Sequence, residues 1–99
     1  MARRVQTTTW FTVKVSRVYN YVSENWGDKT AENFIEKLKY RLTQMEKYPG
    51  IGRPSSKKPH IRRVLVGKQN ILYYSSKRSK ITLHNMFSSN GDPDKNPYG

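Results

Sequence analysis

The sequence predicts an α+β domain: a short N-terminal strand, an antiparallel helix hairpin, then a three-stranded antiparallel meander. Three observations predict it. Apolar residues recur at helical spacing through the first half of the chain. Three short runs rich in β-branched and aromatic residues, with turn-length connections, fill residues 61 to 87. Proline and glycine cluster between the two halves. A chain of 99 residues can bury one modest core, so residues 1–99 are expected to form a single domain, with 90–99 a loose tail.

Each element has its own signal. Residues 4 to 9, RVQTTT, are rich in β-branched types and read as a short strand. In the following WFTVKVSRVYNYVSENW, Phe11, Val15, Val18, Val22 and Trp26 keep the spacing of an amphipathic helix, although valines are weak helix formers. Gly27 closes that helix, and Asp28 or Thr30 can cap the next. The second helix carries one apolar stripe, Ala31, Phe34, Ile35, Leu38, Leu42 and Met45. Glu32 and Glu36 lie toward its start and lysines toward its end, the polarity that the helix dipole favours. Pro49 and Gly50 stop it, and the short link at Gly27 makes the pair an antiparallel hairpin. After the loop PGIGRPSSKKPH come IRRVLV, NILYYS and KITLHNMF, spaced for hairpins. Helices covering one face of such a sheet leave its other face open.

The charge is unevenly placed. The chain has a net charge of +12, and from Lys47 to Gly91 it carries ten lysines and arginines without one aspartate or glutamate. The acids sit at Glu24, Asp28, Glu32, Glu36, Glu46, Asp92 and Asp94. Such asymmetry points to nucleic acid, an rRNA-rich surface or an acidic protein as partner. With no cysteine there is no disulfide or thiolate metal site, a composition compatible with a reducing cytoplasm. Two distant histidines without paired carboxylates argue against zinc, and no cofactor is expected. No apolar run approaches the roughly 20 residues that span a bilayer, so no membrane partner is expected. The basic N-terminus never develops the apolar segment of a secretory signal.

Taken together, several pieces resemble the RelE/ParE superfamily, the toxins of bacterial type II toxin–antitoxin (plasmid stabilisation) modules. They are Tyr21 and Trp26–Gly27 in the hairpin, Ala31 and Phe34 in the second helix, and Pro49 with Ile51–Gly52–Arg53. Arg62–Arg63 opening a strand, Tyr74 in the next strand, and Asp92–Pro93 with Lys95 complete the set. The resemblance spans nearly the whole chain and rests on the order and spacing of these pieces. It implies a small cytoplasmic toxin neutralised by a cognate antitoxin protein. One branch of the superfamily cleaves mRNA on the ribosome without a metal; the other inhibits DNA gyrase.

Metal-free RNA cleavage needs a base for the 2′-hydroxyl, an acid for the leaving oxygen, and cations for the phosphorane charge. The candidate catalytic residues are His84, Arg63, Arg62 and Tyr98. Arg62 and Arg63 are adjacent on a strand, so one alone can reach the open face, where it would clamp phosphate; a solvated edge arginine is the plain alternative. His84, with Thr82 and Met86 on its side, is expected opposite Ile81, Leu83 and Phe87, as a base, an acid or simply an exposed histidine. Tyr98 resembles the late aromatic that some RNA-cleaving members use; a frayed terminal tyrosine is the plain alternative. Tyr73 and Tyr74 alternate faces, one in the core and one free to stack on a base. Arg53, Lys57, Lys58, Lys68, Tyr74 and Lys95 form the candidate nucleic-acid-binding set, with the loop cations suited to steering and phosphate contact.

The chain departs from the resemblance at Ser89–Asn90–Gly91, where many members carry an arginine before the Asp–Pro, and no carboxylate base is matched. The acid-free face suits ribosomal and messenger RNA phosphates, so the sequence leans to ribosome-dependent mRNA cleavage, an endoribonuclease. The alternatives are a non-enzymatic gyrase inhibitor of the ParE type and an inactivated toxin that binds nucleic acid.

Overall fold

A computed structural model describes residues 4–91 and 93–99. The chain runs β1 (Arg4–Thr7), α1 (Thr9–Trp26), α2 (Asp28–Lys47), β2 (Arg53–Pro54), β3 (Arg62–Val66), β4 (Asn70–Lys77) and β5 (Lys80–Ser88), then a 3-10 turn (Pro93–Lys95). The strands form one mixed sheet in the order β1-β5-β4-β3-β2. β1 runs parallel to β5, and every other neighbour pair is antiparallel. The architecture is the expected one with a fifth strand added. β2 lies within the expected loop PGIGRPSSKKPH and consists of two residue pairs, Arg53↔Arg63 and Pro54↔Arg62. A strand that short, containing proline at a sheet edge, leaves no periodicity to read.

β1 stops at Thr7, short of the expected residue 9, because Thr8 turns the chain into α1. The Thr8 hydroxyl accepts a hydrogen bond from the Phe11 amide at 3.1 Å, capping the helix. The same hydroxyl donates to the His84 carbonyl at 2.6 Å, and the Thr8 amide donates to the Leu83 carbonyl at 3.1 Å. One residue thus ends a strand, starts a helix and fastens both to β5. The two helices share Gly27 as their joint, with φ of +93°, a region closed to most side chains.

The helices cover one side of the sheet. Their stripe of Phe11, Phe34, Leu38 and Met45 meets Val66, Leu72, Tyr74, Ile81, Leu83 and Met86 in the main core. The sheet side of this core contains a phase change. Tyr74 pairs with Leu83 but Tyr73 pairs with Asn85, so β5 carries one extra residue, a bulge at His84. Beyond it the alternation flips. Met86, expected beside His84, enters the main core, whereas Phe87, expected with Ile81 and Leu83, packs on the other side of the sheet.

Tyr74 anchors the loop between α2 and β3. Its hydroxyl donates to the Pro49 carbonyl at 2.8 Å and accepts from the Gly52 amide at 2.9 Å. A side chain at Gly52 has no room, since a Cβ there would lie 2.8 Å from the Arg63 carbonyl oxygen and 2.9 Å from the Tyr74 ring. At this edge of the sheet β2 covers only Arg62 and Arg63, and the Arg41 Nε donates to the Leu65 carbonyl at 2.7 Å beyond it.

Replacing Thr8 by valine keeps the shape and removes both hydroxyl bonds. The expected cost is about 1–3 kcal/mol, from a lost helix cap and an unsatisfied carbonyl in the bulge. The variant should show a lower urea midpoint with an unchanged slope. An unchanged midpoint would show that the hydroxyl carries no part of the joint.

Candidate polyanion-binding face

Alternation across the strands fixes which side chains look away from the helices. Val64 and Val66 of β3 pack toward the main core, so Arg63 points to the opposite face. Arg53, Arg63, Tyr73 and Asn85 then stand side by side across four strands on that face. The five strands carry no aspartate or glutamate. Two adjacent arginines with no acid on the sheet between them make an environment that favours an incoming anion.

This face carries a second apolar cluster, Ile61, Ile71 and Tyr73, with Phe87 and Tyr98 packed against it. Its roof is the C-terminal segment, which the sequence reading expected to be loose. Tyr98 stacks on Tyr73 with ring centroids 4.7 Å apart and planes inclined by 21°. The Asn96 amide donates to the Tyr73 hydroxyl at 2.8 Å. The Lys57 ammonium donates to the Asn96 carbonyl at 2.8 Å, the Lys57 amide to the Tyr98 carbonyl at 3.0 Å, and Arg63 to the Gly99 carbonyl at 3.2 Å. Lys58 lies 5.2 Å above the Tyr98 ring. Asp92, part of the tail motif, lies outside the described residues.

Beside the roof opens a cleft of about 410 Å³, with Ile71, Tyr73 and Phe87 as floor and Lys14, Arg63 and Lys95 as cationic rim. Lys14 comes from α1 and sits 4.5 Å over the Phe87 ring, an arrangement created by the bulge that turned Phe87 to this side. Sequence reasoning missed Lys14. Its signal would have been its place in α1 just outside the apolar stripe, but its neighbour Phe87 depended on the bulge. A further hollow of about 450 Å³ lies beyond Arg63, lined by Arg41, Arg53 and Leu65 among others. Cations around an aromatic floor suit a ligand with phosphates or carboxylates beside a flat apolar group.

The sequence-predicted residues divide between the two sides of the sheet. Arg63 and Lys95 meet at the cleft, with Arg53 next to Arg63. Lys57 and Lys58 hold the roof. Lys68 lies in the β3–β4 turn, its carbonyl accepting from the Ser89 hydroxyl at 3.0 Å and its side chain exposed. Arg62 belongs to the other side, donating to the Gly52 carbonyl at 2.7 Å, so it braces the loop and does not reach the cleft. Tyr74 is also corrected: it is 0% exposed on the helix side and cannot stack on a base. Tyr73, the other candidate of that pair, is equally buried, under Tyr98.

His84 lies on the face but away from the cleft. Its Nε2 is 2.8 Å from the Ser75 hydroxyl. Its pKa is lowered from the ordinary 6.5, first by burial and then by the nearby positive charges of His60 and Lys58. The imidazole is therefore neutral near pH 7, the form that can accept a proton. Among the described residues no group of three or more histidine, aspartate or glutamate side chains could hold a metal ion. No helix among them is long and apolar enough to cross a membrane.

The sign of the His84 shift gives a pH test. A histidine whose folded pKa is depressed binds fewer protons folded than unfolded, so its contribution is full above the unfolded value and is lost as pH falls toward the folded one. The His84 proton resonances should titrate with a midpoint below 6.5. The wild-type protein should lose stability relative to His84→Gln on going from about pH 7.5 to about pH 5. A midpoint above 6.5 contradicts this environment.

No family model matches the sequence, and no curated protein matches it. Solved structures do. A chain of the chromosomal ParDE toxin–antitoxin system from P. aeruginosa superposes with a TM-score of 0.75 at 16% identity, covering 88% of this chain and 96% of that one. YafQ from E. coli gives 0.60 at 16% identity, with 88% and 93% covered. The conserved hypothetical protein HP0894 from Helicobacter pylori gives 0.57 at 13% identity, with 88% and 94% covered. At such identities the likeness is one of architecture, and the chain has the α+β fold of the RelE/ParE-like toxins.

Proposed function

We propose that the chain is the toxin of a type II toxin–antitoxin module, a growth inhibitor that acts through its basic sheet face and is neutralised by a cognate antitoxin. The observation that carries the reading is the cleft in which Lys14, Arg63 and Lys95 surround an aromatic floor on a sheet without carboxylates. The shared fold supports the module, since one of the matching chains comes from a ParDE toxin–antitoxin system.

Within that reading the face holds its target and does not cut it. Arg62 and Tyr74 look toward the helices, Tyr98 is stacked on Tyr73, and His84 is absent from the lining of the cleft. General acid–base chemistry needs its groups converging on one reacting atom, and these do not converge. A ParE-type inhibitor of DNA gyrase is the function that asks least of such a site. The second reading, ribosome-dependent mRNA cleavage, is favoured by one observation: His84, its pKa lowered by burial, is bonded to Ser75 on the same face of the sheet as Arg63.

Induced expression in a bacterial host should arrest growth, with intact mRNA by primer extension and inhibited supercoiling by purified gyrase. Arg63→Ala should weaken inhibition about tenfold or more, the scale of one charge-assisted hydrogen bond. In-frame, codon-positioned cuts with unaffected gyrase would replace the first reading by the second. Growth at the uninduced rate would overturn both.

A further inference from the structure

The β4–β5 hairpin tip places three cations in one line. Arg4 of β1 pairs with Lys80 of β5, and Lys80 pairs with Lys77 of β4. The next residues along, Val5 and Ile81, pack in the main core, so Arg4, Lys80 and Lys77 all project from the opposite face. That is the face of the cleft, at the other end of the sheet. Neighbouring strands lie about 4.8 Å apart, and like charges directly opposite one another on adjacent strands repel. All three are exposed, and none has a side-chain partner among the described residues.

Two further features make the row more than a solvated edge. Between it and the cleft the face carries Gln6, Thr82 and Ser75, again in direct register across the same three strands, and then His84. This strip holds hydrogen-bond donors and no acid. The turn at the tip contains Arg78 with φ of +56°, a left-handed conformation that glycine or asparagine normally fills, so a fourth cation stands where a neutral residue would fit better.

We infer that Arg4, Lys77 and Lys80 form a binding site for the phosphodiester backbone of a nucleic acid, which continues over the Gln6–Thr82–Ser75 strip up to the edge of the Tyr98 roof. The site rests on the reading of this basic face as a polyanion-binding surface and adds its second end. Three long cationic side chains on neighbouring strands can each meet a different phosphate of one backbone, and the polar strip beside them offers donors without repelling it. A single anion would need only one of the two ends.

The test measures binding of the full chain to a labelled single-stranded RNA and a DNA duplex, each about 20 units long, between about 50 and about 200 mM salt. Changing Arg4, Lys77 and Lys80 together to glutamine should weaken binding about tenfold or more and lower the log–log salt slope by about 2 on RNA or about 2.7 on duplex. The polymer that shows the larger loss identifies the source of the backbone. The same changes made at Lys29, Lys39 and Lys47 on α2 should leave the slope within about one unit. The triple variant should also melt no lower than wild type, because it removes repulsion; if it fails to fold, Lys80→Gln alone should lower the slope by about 0.7 to 0.9. Unchanged affinity and slope in the variants overturn the site. So does wild-type protein that binds neither polymer, or that binds polyglutamate as tightly. Growth arrest is scored separately: a chain that binds nucleic acid through this row without arresting growth removes the toxin reading and leaves the site standing.

Discussion

The structure turns on the Thr8 hydroxyl. It accepts from the Phe11 amide and donates to the His84 carbonyl, joining the start of the first helix to a bulge 76 residues away in sequence. An extra residue in a strand leaves backbone groups unpaired, and a bulge persists where something satisfies them. Here the helix cap does so. Because the bulge is held, the alternation of β5 changes phase, Met86 fills the helix-side core, and Phe87 is delivered to the other side of the sheet. The aromatic floor of the cleft, and with it the place of Lys14, follows from that one shift.

The sheet consequently has two unlike sides. One is an ordinary apolar core under the helices. The other has a small aromatic cluster in the middle, cations at its margins and the chain's own last residues lying across it. Tyr98 is held by stacking, by a cation above it and by backbone bonds to the loop before β3. A flat apolar ring with a carbonyl-rich backbone, set among Lys57, Lys58 and Arg63, takes up the same contacts that an aromatic, electron-rich ligand would use.

How much of this was legible in the sequence follows from the physics of each signal. The helix pair announced itself because Phe34, Leu38 and Met45 repeat at a period that only a helix satisfies. The meander was readable for the same reason, from short apolar runs with turn residues between them. The bulge was not: it has no glycine, and its cause is a threonine at the other end of the chain. Alternation showed that Arg62 and Arg63, and likewise Tyr73 and Tyr74, must part company, but assigning faces required knowing where the helices pack. The packing of Tyr98 was hidden because a turn-rich segment has no periodicity, and its contacts come from residues distant in sequence. The acid-free charge asymmetry was fully visible. The cross-strand row at Arg4, Lys80 and Lys77 was not, because it exists only once β1 lies parallel to β5.

That parallel pairing also governs when the molecule can come into being. The helix hairpin and the meander are built from neighbours in sequence and can form early and quickly. β1 must wait for β5, and closing a loop of that length costs entropy before any ladder bond repays it. A nascent chain that has exposed only its first half therefore possesses helices without a basic face. Arg4 and Gln6 stand apart from Lys80 and Thr82 until the first strand and the last strand pair, so the cross-strand row at the hairpin tip is the part of the basic face that depends on this long closure.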